Sequence, residues 1–120
     1  MASTRITPFP LRGLVPYRGV LYAITHQEVF SQGRLYRIGR FVGDRYDERV
    51  MIGHWDLLEN MEELARFKVG DAVVHAELGE AIVLQRAWSF RYGTVRYRVR
   101  AKTTGYERAS ATDQDLRPSA

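Results

Sequence analysis

The chain repeats itself. The stretch "FPLRGLVPYRGVLYAI", beginning at Phe9, lies on "FKVGDAVVHAELGEAIVL", beginning at Phe67, at an offset of about 60 residues. In this alignment Phe9 meets Phe67, Gly13 meets Asp71, Val15 meets Val73 and Gly19 meets Gly79. Tyr22-Ala23-Ile24 meets Ile82-Val83-Leu84. Further on, "FSQGRLYRIGR" lies on "FRYGTVRYRVR", which puts Tyr36-Arg37-Ile38 on Tyr97-Arg98-Val99, and Tyr46 opens a last match with Tyr106. A chain of 120 residues is therefore read as two small copies of one unit. Neither copy buries much surface alone.

Each copy reads as β-structure. Thr94–Lys102 alternates Val95, Tyr97, Val99 and Ala101 with Arg96, Arg98, Arg100 and Lys102, the period-two pattern of a strand with one wet face. Gly70-Asp71 and Gly79 punctuate two further strands, Ala72–His75 and Ala81–Gln85, and Glu107–Thr112 supplies another. Asp113–Leu116 reads as a 3₁₀ turn. Between the copies, "DLLENMEELARF" carries Leu57, Leu58, Met61, Leu64 and Ala65 at helical spacing, with Asp56 and Glu59 placed to cap its start. Trp55 is expected to pack with this helix. The fold expected is all-β: tandem SH3-like (Tudor-like) small barrels joined by a short helix. The boundaries are a flexible N-terminus at 1–8, barrel 1 at 9–58, a connecting helix at 59–66 and barrel 2 at 67–118.

Composition limits the chemistry. A hydrophobic fraction of 45% and an aromatic fraction of 12% are those of a globular chain. There are no cysteines, so disulfides and thiolate metal sites are not available. His26, His54 and His75 are dispersed without zinc-motif spacing, and no nucleophile-elbow, Walker or dinucleotide fingerprint occurs. Neither a metal, a cofactor nor catalysis is expected. With no signal-peptide core and no membrane-length apolar run, a cytoplasmic protein is the expectation.

The charge points elsewhere. Of 18 basic residues only Lys68 and Lys102 are lysine, and the net charge is +4. Arginine suits bidentate contact with phosphate and stacking on aromatic rings. The candidate nucleic-acid-binding residues are Arg96, Arg98, Arg100 and Lys102 on the alternating strand, Arg91 before it, and Arg34, Arg37 and Arg40 on the matching ground of the first copy. A solvated face neutralised by Glu77, Glu80 and Glu107 is the competing reading. The candidate aromatic groove is Trp88, Phe90 and Tyr92, with Phe30 at the matching loop. Such rings can stack on bases, pack on a peptide or cage a cation. Alternatively, Trp88 and Phe90 cover the core.

The positions Phe67, Val69, Gly70, Asp71, Val73, Val74, His75, Gly79, Tyr97, Val99, Asp115 and Leu116 resemble the SH3-like or Tudor-like barrels of bacterial transcription and repair proteins. The likeness is to the RNA-polymerase-interacting domain of CarD-type regulators and transcription-repair coupling factors, and to the C-terminal Tudor-like domain of some helicases. It covers 67–118 and reaches 9–58 only through the repeat. The resemblance implies a small barrel and a partner in the transcription or repair machinery. The function expected is a non-enzymatic binding module contacting DNA or RNA. The alternatives are a protein-interaction adaptor and a structural subunit of a larger assembly.

Overall fold

A computed structural model describes residues 7–31 and 33–119. Strands dominate it. Their order is β1 (Leu14–Tyr17), β2 (Val20–Phe30), β3 (Gly33–Val42), β4 (Arg45–Gly53), helix α1 (His54–Glu63), β5 (Ala72–His75), β6 (Gly79–Ser89), β7 (Thr94–Ala101), β8 (Glu107–Ala111) and β9 (Leu116–Pro118). The chain divides into two compact units, residues 1–60 and 61–120. The first contains an antiparallel meander β1-β2-β3-β4, the second a five-stranded sheet β8-β7-β6-β5-β9.

The same hydrogen-bond scheme opens both meanders. In the first unit the Arg12 amide donates to the Ile24 carbonyl (2.7 Å), Ile24 donates to Gly13 (3.0 Å), and Gly13 donates to Pro10 (3.0 Å). In the second, Gly70 donates to Val83 (2.8 Å), Val83 to Asp71 (3.0 Å), and Asp71 to Lys68 (3.0 Å). The turn needs a left-handed residue, which is Gly70 at φ 93° in one unit and Arg12 at φ 67° in the other. Glycine adopts that region without steric cost; the arginine holds the same position at some strain.

A buried tyrosine then ties each opening to its sheet. The Tyr36 hydroxyl accepts from the Phe9 amide (3.1 Å) and shares a hydrogen bond with His54 Nδ1 (2.8 Å). The Tyr97 hydroxyl accepts from the Arg66 and Phe67 amides (3.0 and 3.4 Å). Phe9 stacks on Tyr36 with centroids 5.1 Å apart, and Phe67 meets Tyr97 edge-on at 5.7 Å. Burial pushes both phenols up from their ordinary pKa, so each stays a neutral donor and acceptor.

Bulges also recur. Thr25 is the extra residue in β2 and Leu84 in β6, while Val50-Met51 bulge β4 and Ala109-Ser110 bulge β8. Met51 (φ 59°) and Ser110 (φ 63°) take left-handed backbone at equivalent places. Arg37 and Arg98 each sit where bulges press from both sides. These registers pair Tyr22 with Val15 and Ala81 with Val73. Tyr22 is thus the counterpart of Ala81, one residue from the sequence alignment. The β1–β2 connection has two residues, Arg18 and Gly19, and the β5–β6 connection three, which absorbs the difference.

The core of the second unit is Phe67, Val73, Ala81, Val83, Val95, Tyr97, Val99, Ala111 and Leu116, with Ala65, Leu78 and Trp88 packed against it. Burying each larger aliphatic here contributes about 1.5–3 kcal/mol. In the first unit Phe9, Val15, Tyr22, Ile24, Tyr36, Ile38, Ile52 and Leu57 are buried. Gly39 has a packing reason for being glycine. A Cβ there would come within 1.9 Å of the Tyr46 hydroxyl, because the Tyr46 ring covers the backbone diagonally across the strands.

Three expectations change. Neither sheet closes into a barrel: the first ends at β1 and β4, the second at β8 and at three-residue β9, whose Pro118 has no N–H to continue a ladder. The first unit has four strands where the second has five, since α1 follows β4 where a turn and β9 follow β8. The helix runs over His54–Glu63 instead of 59–66. It starts directly after Gly53, with Asp56 in its first turn favourably placed at the positive end of the dipole. It ends in tighter turns, Leu64 and Ala65 donating to Met61 and Glu62. Trp55 lies in its first turn and is 63% exposed.

Candidate nucleic-acid interface

Strand parity assigns the arginines to faces. Directly opposed residues in an antiparallel pair share a face, and the buried residues of β7 are Val95, Tyr97, Val99 and Ala101. Arg96, Arg98 and Arg100 therefore project together from the outer face, about 7 Å apart. Arg100 opposes Ile82 on β6, and Arg117 of β9 opposes Val74 on the same face. Lys102 is exposed just past the end of β7.

One carboxylate serves two of these cations. Arg98 Nη2 lies 2.7 Å and Arg100 Nη2 3.6 Å from Glu107, with both guanidinium side chains about half exposed. Glu77 is taken by Arg108 at 2.9 Å. Arg96 is held differently. Its Nη1 donates to the Ser110 carbonyl (3.0 Å), its guanidinium lies 4.6 Å over the Tyr92 ring, and its buried Nε has no hydrogen-bond partner. Arg91 approaches the same ring at 5.3 Å. Gln85, Ala87, Arg96, Arg98, Glu107, Ala109 and Ser110 rim a hollow formed over the β8 bulge.

The first unit carries the equivalent hollow with different chemistry: His26, Glu28, Leu35, Arg37, Val50 and Met51. Here the sequence grouping of Arg34, Arg37 and Arg40 comes apart. Tyr36 and Ile38 face the core, so Arg34 and Arg40 belong to the inner face near its two ends and Arg37 alone to the outer face. Arg37 pairs with Glu48 at 3.9 Å, the counterpart of the Arg98–Glu107 pair. Arg34 donates to Gln27 Oε1 at 2.9 Å. Arg40 and Arg49 flank Asp47 at 3.5 and 3.4 Å. The Tyr22 hydroxyl donates to Asp47 at 2.9 Å, and this bond, with the two arginines, holds the carboxyl below its ordinary pKa.

The aromatic set also divides. Trp88 opposes Val95 on the inner face and packs on the core, and Phe90 is half-buried at the β6–β7 hairpin. Only Tyr92 of that trio is well exposed, at 57%. Phe30 opposes Gly33 on the outer face of the first sheet and is 45% exposed. The sequence reading missed Arg117, which period-two counting on a three-residue strand does not reveal. It also missed the exposed Phe41 and Met51 of the first sheet.

The histidines are held in local structure. His75 Nδ1 accepts from the Glu77 and Leu78 amides (3.0 and 3.1 Å) and so shapes the β5–β6 turn. His54 is buried against Phe9, with ring centroids 4.0 Å apart, and its pKa is lowered by burial and then by Arg34. His26 is exposed beside Thr25. Among the described residues no group of three or more histidines and carboxylates could hold a metal ion, and no helix is long and apolar enough to cross a membrane. No protein family, curated protein or solved structure matches the chain, which leaves these side chains as the ground for a functional conclusion.

Proposed function

We propose that this chain is a non-enzymatic, cytoplasmic binding module of the nucleic-acid machinery, built from two SH3-like units and contacting nucleic acid through the outer face of the second. One observation carries the reading. Arg96, Arg98 and Arg100 stand in a row on an open sheet face, and Arg98 and Arg100 share the single carboxylate of Glu107. A row of like charges costs stability unless acids or a polyanion neutralise it, and phosphate contacts release counterions, so such binding weakens steeply with salt. The test is a mobility shift at low and moderate salt, with the Arg96/Arg98/Arg100→Ala variant as control. A shift that fades with salt and is lost in the folded variant supports the reading; no shift at low salt removes it.

A second reading, a protein-interaction adaptor to RNA polymerase as the family resemblance implies, draws on the first unit. There Phe41, Val50, Met51 and Trp55 are each more than half exposed. A specific protein retained in a pull-down at high salt, and lost in the folded Phe41→Asp variant, would favour it.

A further inference from the structure

We infer that the arginine face takes single-stranded rather than duplex nucleic acid, with an unpaired base stacking at the corner formed by Tyr92 and Arg96. This rests on the nucleic-acid reading above and adds the state of the strand. Tyr92 sits at the tip of the β6–β7 hairpin with more than half its surface in solvent. Its ring already takes cation–π contacts: the Arg96 guanidinium lies 4.6 Å over it and Arg91 approaches at 5.3 Å. Arg96 is not a loose cation, because the Ser110 carbonyl fixes its Nη1 at 3.0 Å. A ring and a guanidinium plane so held form a platform that accepts the π-face of any base. In a duplex those faces are covered by neighbouring base pairs, so only an unpaired base can use the platform.

The backbone has a track to follow from there. Arg98 and Arg100 continue from Arg96 along the same face in steps of about 7 Å, and both are about half exposed. Stacking at one end and phosphate contacts along the strand together make a binding mode tolerant of sequence and selective for unpaired bases.

The experiment measures fluorescence anisotropy with two probes at about 50 mM salt, an oligothymidine of about 12 nucleotides and a duplex of equal length. The single strand is expected to bind more tightly. Tyr92→Ala is expected to weaken that binding about tenfold while leaving duplex affinity unchanged, and Tyr92→Phe, which keeps the π-face, to bind as the parent does. Equal affinity for the two probes, or equal loss of both in Tyr92→Ala, overturns the single-strand inference while the charge-based reading stands. Binding of neither probe overturns both.

Discussion

Glu107→Gln should strengthen nucleic-acid binding, an unusual direction for a substitution on a binding face. Glu107 lies 2.7 Å from Arg98 and 3.6 Å from Arg100. Replacing it by an isosteric neutral amide leaves both guanidinium groups free to meet phosphate. A phosphate about 7 Å from the removed charge, one strand step away, gains about 0.6 kcal/mol in high dielectric. Two or three phosphates along the track bring the gain to about 1–2 kcal/mol at low salt, or about tenfold in affinity. At physiological ionic strength the Debye length of about 8 Å trims this to a few-fold. The stability cost is small, because exposed ion pairs of this kind contribute about 0–1 kcal/mol. Anisotropy titrations over a salt series, with thermal melts as a folding control, measure both quantities. Unchanged or weaker binding by the folded variant would refute the placement of phosphate on the Arg98–Arg100 track.

Two further outcomes concern the fold itself. Tyr97→Phe should destabilise the second unit by about 1–3 kcal/mol, because it orphans the Arg66 and Phe67 amides at once; chemical denaturation of the variant reads this, and a loss near zero would contradict the role given to the hydroxyl. His54 should make the protein acid-sensitive. Its folded pKa lies below the ordinary 6.5, so the unfolded chain takes up the proton first; stability is full above about pH 6.5 and falls as pH drops from there toward the folded value. Melting temperatures between about pH 7 and 5 should show this decline in the parent and a flatter profile in His54→Gln.

Much of this arrangement is visible in local pattern, and the parts that are not have a common cause. β7 alternates so regularly that its bounds differ from the sequence reading by one residue, and Tyr36 and Tyr97 are structural counterparts, as their shared neighbours suggest. The grouping of Arg34, Arg37 and Arg40 failed because a face is set by parity, and one residue of offset reverses it. "WSFRY" reads as one period-two run, but β6 ends at Ser89 and the hairpin turn breaks the alternation, sending Trp88 inward and leaving Tyr92 in solvent. Bulges at Thr25 and Leu84 shift parity again within single strands. Sheet closure is a matter of which edges meet, and nothing in the pattern of a three-residue strand ending at Pro118 encodes it.

The most direct measurement of the central claim is a two-dimensional amide NMR titration of the intact chain with an oligonucleotide at low salt. The account predicts shifts concentrated at Phe90–Gly93, along Thr94–Ala101 and at Glu107, fading together as salt is raised. Shifts confined to residues 33–53, or none at oligonucleotide excess, would contradict it.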